Sequence, residues 1–276
     1  MTDPNMPDLN RAALRDLSAG RVGRAVRFVR ERGVLEPLRL IRQHGISESA
    51  WFVARNIRHL IADRRAHAWD RQYGVDTSGS IQLDSLDVVG PNRSKGNECV
   101  CTSPKSFDFI MRNLPAELGT FTFIDIGSGK SRTLLLASHY PFAAIVGVEF
   151  ARELVAIARR NIERYDSPHQ KCRALCVAEG DAAAYVFPDA PLVVYFYNPF
   201  SKDLFEEVMS NLFSSLTRSP RECFVVYGSS SHNAIDWAKS SIRANGHFEE
   251  LTTPPMPLFL DAVRTIDYAV FRYLGA

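Results

Sequence analysis

The stretch FIDIGSGKSR (123–132) constrains this chain more than any other. Phe121–Ile126 reads as a buried strand and Leu134–Ser138 as part of a helix, with Gly127 and Gly129 in the turn between them. The rhythm then repeats. Ala144–Val148 predicts a second strand, Leu154–Tyr165 a helix, and further strands fall near 173–178, 192–197 and 222–228. Strands that alternate with helices pair in parallel through right-handed crossovers. The end breaks the rhythm. His247–Leu251 and Thr265–Tyr273 have no helical pattern between them, in a connection that begins with the proline-rich Thr252–Pro257, so an antiparallel hairpin is expected to close the sheet. The expected fold is a doubly wound α/β sheet.

Ahead of this lies a different kind of segment. Residues 1–75 hold 14 arginines and no lysine against 8 acids, a net +6, whereas residues 76–276 carry −4. Val22, Ala25, Val26 and Val29 recur at helical spacing beside Arg21, Arg24, Arg27 and Arg30. A second pattern runs through Trp51, Val53, Ile57, Leu60 and Ile61, with Ser47 placed to cap it. The expectation is a basic helical extension over 1–75, a linker or cap over the site in 76–118, containing a helix from about Pro104 to Asn113, and the main domain over 119–276. The Arg-rich face suits phosphate contacts and makes nucleic acid a candidate partner, although a solvated helical face explains it as well. No apolar run approaches the roughly 20 residues that span a bilayer. The N-terminus is acidic and proline-broken, unlike a secretory leader, so the expected location is the cytoplasm. Five cysteines argue against a disulfide framework, and neither Cys99/Cys101 nor Cys172/Cys176 has zinc-site spacing, so no metal is expected.

Three ligand readings compete for the glycine loop. A dinucleotide fingerprint needs glycine at 132, where Arg132 stands. A phosphate-cradling loop ending in Gly129-Lys130-Ser131 needs glycine at 124, where Ile124 lies inside the strand. Asp125 weighs against phosphate too, because a carboxylate at the strand tip repels it and favours a ligand ammonium group. Glycines let backbone approach such a ligand without a Cβ clash. Two further acids end the next two strands. Glu149 is placed to accept ribose hydroxyls, and Asp181, after Gly180 and before Ala182, to accept an adenine amino group. Either acid alone reads equally as a strand-end or capping residue; three at successive strand tips point to one nucleoside pocket.

With FIDIGSGKSR, VGVEF (146–150) and EGDAAAY (179–185) in place, residues 119–276 resemble the class I methyltransferases that use S-adenosyl-L-methionine (SAM). A poorly characterised subgroup of methyltransferase-domain proteins also resembles the chain in YGVDTSG (73–79), PNR (91–93) and VVYFYNPF (193–200). The resemblance implies a Rossmann-like fold, SAM as methyl donor with S-adenosyl-L-homocysteine as product, and a cofactor site of Asp125, Gly127, Ser128, Gly129, Glu149, Asp181 and Ala182. The chain departs from the family with Ser131, where glycine is frequent and a side chain would crowd the ligand, and with Cys99–Pro104 in place of an aromatic Y-x-P segment.

Asn198-Pro199-Phe200 is similar to the N-P-P-[YF] element of amino-group methyltransferases, which implies a nitrogen acceptor. Asn198 Oδ1 and a backbone carbonyl would hold a neutral amine, and Tyr195, Tyr197 or Phe200 would favour the sulfonium through cation–π contact. Alternation along the strand buries Tyr195 and Phe196 instead. The acceptor itself, whether small amine, protein or nucleic acid, is not legible. The competing expectation is a SAM- or nucleoside-binding module without catalysis that uses the Arg-rich extension for recognition.

Overall fold

The computed structural model describes residues 61, 63–79, 81, 86–90, 92, 95–97, 101–229, 232–257 and 266–275. The helices expected around Val22–Val29 and Trp51–Leu60, with Pro91, Arg93 and Cys99, lie outside these residues.

The sheet consists of β1 (Thr122–Ile126), β2 (Ala144–Glu149), β3 (Leu175–Glu179), β4 (Leu192–Tyr197), β5 (Cys223–Ser229), β6 (Phe248–Glu250) and β7 (Asp267–Tyr273). Their order is β3-β2-β1-β4-β5-β7-β6. Only β7 runs against its neighbours, pairing antiparallel with both β5 and β6. The expected terminal hairpin is present, with its second strand inserted inside the first. The order reverses between β1 and β4, and in such sheets a ligand crevice opens at the carboxyl ends flanking that point.

Helices cover both faces, among them α1 (Pro104–Arg112), α2 (Arg132–Ala137), α3 (Arg152–Arg164), α4 (Lys202–Arg218) and α5 (His232–Ala244). Alternate strand residues divide between two cores. Phe123, Ile145, Val193, Tyr195, Phe224 and Val226 pack with Phe107 and Ile110 of α1 and Val155 and Ala158 of α3. Ile124, Val148, Val194, Phe196, Val225 and Tyr227 pack with Phe205, Val208 and Leu212 of α4 and Ile235 and Ile242 of α5. With helices on both faces, β1 is buried along its whole length. β3 is a sheet edge, and its Cys176 is exposed whereas Cys172, just before it, is buried. Among the described residues no helix is long and apolar enough to cross a membrane.

Residues 63–73 are helical and dock on the body. Trp69 and Tyr73 meet Tyr165, just past α3, at ring-centroid distances of 5.8 and 5.0 Å.

Candidate functional site

The loop after β1 is bent by left-handed residues that glycine tolerates, Gly127 (φ 75°) and Gly129 (φ 54°). At Gly127 a Cβ would meet Pro199 Cβ at 2.5 Å, so the loop and the end of β4 approach closely only without a side chain. The amides of Gly127 and Ser128 both donate to the Val148 carbonyl (2.9 and 3.1 Å), which seats the loop against β2.

The two cations of the loop line the cavity, and each is paired with a carboxylate. Lys130, 7% exposed, donates from Nζ to Asp76 Oδ1 (2.8 Å) and to the Ser78 carbonyl (2.7 Å). Arg132 donates to Asp70 Oδ1 (2.7 Å), Thr77 Oγ1 (2.6 Å) and the Ala66 carbonyl (3.0 Å), and lies over the Trp69 ring. Asn161 of α3 bonds the Asp76 backbone through both its amide groups and also reaches the Lys130 carbonyl. Burial alone would raise the Asp70 carboxyl; hydrogen bonds from Ser78 and Thr77 and the charge of Arg132 outweigh it and hold the group below the usual carboxylate range. Asp70 also accepts from the amides of Thr77 and Ser78 (2.9 and 2.7 Å). The YGVDTSG segment is thus a latch on the back of the glycine loop.

The three strand-tip acids and the loop line one cavity. Asp125 is 3% exposed. Burial, then the charge of Glu149, push its carboxyl up to about 8, against a hydrogen bond from Thr133. Glu149 is equally enclosed. Its Oε2 accepts from the Gly129 amide (2.8 Å), and its Oε1 from the amides of Phe150 (3.0 Å) and Ala151 (2.9 Å). Burial pushes its carboxyl up, and those three amides oppose the shift. A carboxylate offers about four acceptor positions, so Glu149 retains about one. Asp181 caps the 3-10 turn Ala182–Ala184 by accepting from the Ala183 amide (3.0 Å), and its Oδ2 accepts from Asn92 Nδ2 (2.7 Å).

At the other end of the cavity stand Tyr197, Asn198, Pro199 and Phe200. Asn198 is left-handed (φ 45°), and its Oδ1 accepts from the Tyr227 hydroxyl (3.2 Å). Phe200 is buried edge-on to Phe196. Tyr195 and Phe196 are wholly in the core, and of the candidate aromatics Tyr197 and Phe200 reach the cavity while Tyr195 does not.

A strap crosses the carboxyl edge of the sheet between these ends. Val88 bridges Ala151, and the Val89 amide donates to the Phe150 carbonyl (2.9 Å). Asn92 meets Asp181, Asn97 donates from its amide to the Pro199 carbonyl (2.9 Å) and from Nδ2 to the Asn198 carbonyl (3.0 Å), and Gly96 bridges Phe200.

All the sequence-derived candidates, Asp125, Gly127, Ser128, Gly129, Glu149, Asp181, Ala182, Asn198, Pro199 and Phe200, line this cavity. The expectation that Ser131 crowds the ligand is corrected: its side chain is fully buried and absent from the cavity wall. Sequence reasoning gave no role to Thr77, Asn92 or Asn97, which also line it, nor to Tyr227. The segments YGVDTSG and PNR stood out in the sequence, but nothing there told which residues they would touch.

No family model matches the chain, and no curated protein matches it. Solved structures do. One is a precorrin-6y C5,15-methyltransferase from Geobacter metallireducens, 15% identical over 73% of this chain and 98% of that one (TM-score 0.45). Another is an RNA methyltransferase from Salinibacter ruber in complex with S-adenosyl-L-homocysteine, 17% identical over 63% and 92% (TM-score 0.40). A human methyltransferase 10 domain containing protein is 13% identical over 74% and 92% (TM-score 0.45).

Proposed function

We propose that this chain is a SAM-dependent methyltransferase whose acceptor atom is nitrogen. One observation carries the reading. Three carboxylates at the tips of three adjacent strands share a cavity with a glycine loop whose lysine and arginine are both committed to other carboxylates. That set of acceptors fits a nucleoside carrying an ammonium group better than a phosphate ester.

Asp181 and the backbone at Ala182 would hold the base, and Glu149 one ribose hydroxyl through its remaining acceptor position. Gly127, Ser128 and Gly129 would let the backbone close on the amino-acid tail, with Asp125 facing its ammonium group. When bound, SAM supplies an electrophilic methyl carbon on a positive sulfur and departs as S-adenosyl-L-homocysteine. Transfer to an amine is a displacement in which the protein chiefly positions the nucleophile. Asn198 Oδ1 keeps a lone pair beside the Tyr227 bond and can accept a hydrogen of a neutral amine, aiming the nitrogen lone pair. Tyr197 and Phe200, which line the cavity, would favour the positive charge through cation–π contact, a contribution of about 0.5–2 kcal/mol.

In this reading residues 119–276 are the catalytic domain, 76–118 its cap and 1–75 a basic extension that brings in the acceptor; small amine, protein and nucleic acid all fit the chemistry. The test is transfer of a labelled methyl group from SAM into a cell extract fractionated into protein, RNA, DNA and small molecules. A labelled fraction is expected. Failure of the purified protein to bind SAM by calorimetry overturns the reading, and tight binding without product in any fraction favours a recognition module instead.

A further inference from the structure

The strap residue Asn92 lies in the cavity wall, only 7% exposed, yet it belongs to none of the elements that build a nucleoside site from the sheet. Its orientation is fixed by chemistry. An ionised carboxylate only accepts hydrogen bonds, so the amide edge 2.7 Å from Asp181 Oδ2 must be Nδ2. Asn92 Oδ1 therefore points elsewhere, and no described residue donates to it. The backbone is held as well: the Lys95 amide donates to the Asn92 carbonyl (3.0 Å). Gly90 (φ 91°) makes the approach possible, since a Cβ there would press on Asp181 Oδ2 at 3.0 Å.

An oriented asparagine presents a carbonyl and an N–H side by side, the complement of adenine's amino group and neighbouring ring nitrogen. Resting on the proposed SAM site, we infer that Asn92 reads the base edge of the cofactor, with Asp181 as the residue that orients it. The carbonyl accepts from the 6-amino group, and the second Nδ2 hydrogen donates to the adjacent ring nitrogen. A 6-oxo base turns the first contact into two facing acceptors. Specificity for the adenosyl group then comes from the strap, not from the third strand alone.

Calorimetry on the full chain with S-adenosyl-L-homocysteine and its 6-oxo analogue, S-inosyl-L-homocysteine, tests this without knowledge of the acceptor. Wild type should prefer the adenosyl compound by at least about tenfold. Asn92→Ala should weaken the adenosyl compound by about tenfold, leave the inosyl compound within about twofold, and so erase most of the preference. If Asn92→Ala weakens both ligands by the same factor, the residue merely fastens the strap and the inference is overturned. Unchanged preference overturns it too. Absence of any binding to wild type would remove the underlying functional reading together with this one, and is told apart because it shows before any substitution.

Discussion

The Glu149 carboxylate accepts the amide hydrogen of Gly129, twenty residues earlier in the chain, across 2.8 Å. With the Phe150 and Ala151 amides on its other oxygen, this acid organises the glycine loop as well as facing the cavity. Its replacement therefore has two separable consequences.

Glu149→Ala leaves three enclosed amides without their acceptor and should cost at least about 1–3 kcal/mol of stability, read as a lower urea midpoint. Glu149→Gln keeps one carbonyl oxygen and should unfold less readily than the alanine variant. In the glutamine variant, SAM affinity should still fall roughly tenfold through the lost charge. Wild-type affinity in both variants would remove the ribose role.

Breaking the latch should be costlier. Arg132 and Asp70 form an ion pair with side chains 3% and 8% exposed. Asp70→Ala strands the guanidinium in the interior, and loss of one partner of such a pair costs about 3–5 kcal/mol. Equilibrium denaturation should show the drop; a change below 1 kcal/mol would mean that the latch contributes little.

Asp125 gives a pH dependence. Its folded carboxyl titrates at about 8, above its unfolded value, because of burial and the Glu149 charge. Between those values the folded state holds a proton that the unfolded chain has released. Stability from this group is thus present at low pH and declines as pH rises from about 4 to about 8. A ligand ammonium needs the ionised form, so calorimetric affinity for S-adenosyl-L-homocysteine should strengthen between pH 6 and 8. Asp125→Asn should flatten both profiles; a wild-type affinity that weakens over that range would contradict the ammonium contact.

Ser131 occupies a left-handed conformation (φ 68°) with its hydroxyl buried and unpartnered among the described residues. The conformation costs a non-glycine residue about 1–2 kcal/mol, so Ser131→Gly should leave the melting temperature equal or higher, whereas Ser131→Val should lower it. Neither changes the cavity wall.

Asn198→Ala should abolish label transfer while leaving S-adenosyl-L-homocysteine affinity within about twofold, since the proposed role of the side chain is to hold the acceptor and not the nucleoside. A parallel loss of binding would move Asn198 out of the catalytic role.

The alternation of short apolar runs with helical apolar patterns from residue 121 onward was enough to read strand, helix and the closing hairpin, because burial on both faces of a strand or one face of a helix leaves that mark locally. Asp125, Glu149 and Asp181 were legible for the same reason: parallel strands put their carboxyl ends on one edge, so position along the sequence implies position in space. Contacts between distant segments had no such rule. Nothing near Lys130 and Arg132 in the sequence told that Asp76 and Asp70 would pair with them. Ser131 read as an obstacle until its left-handed turn aimed it inward, and Asn92 and Tyr227 acquired partners only when the strap and β5 were placed beside Asp181 and Asn198. The local code sets which residues can bear charge at a strand tip. Which charges remain free for a ligand depends on long-range pairing, and that was decided by where Asp70, Asp76 and Asn92 pack against the sheet domain.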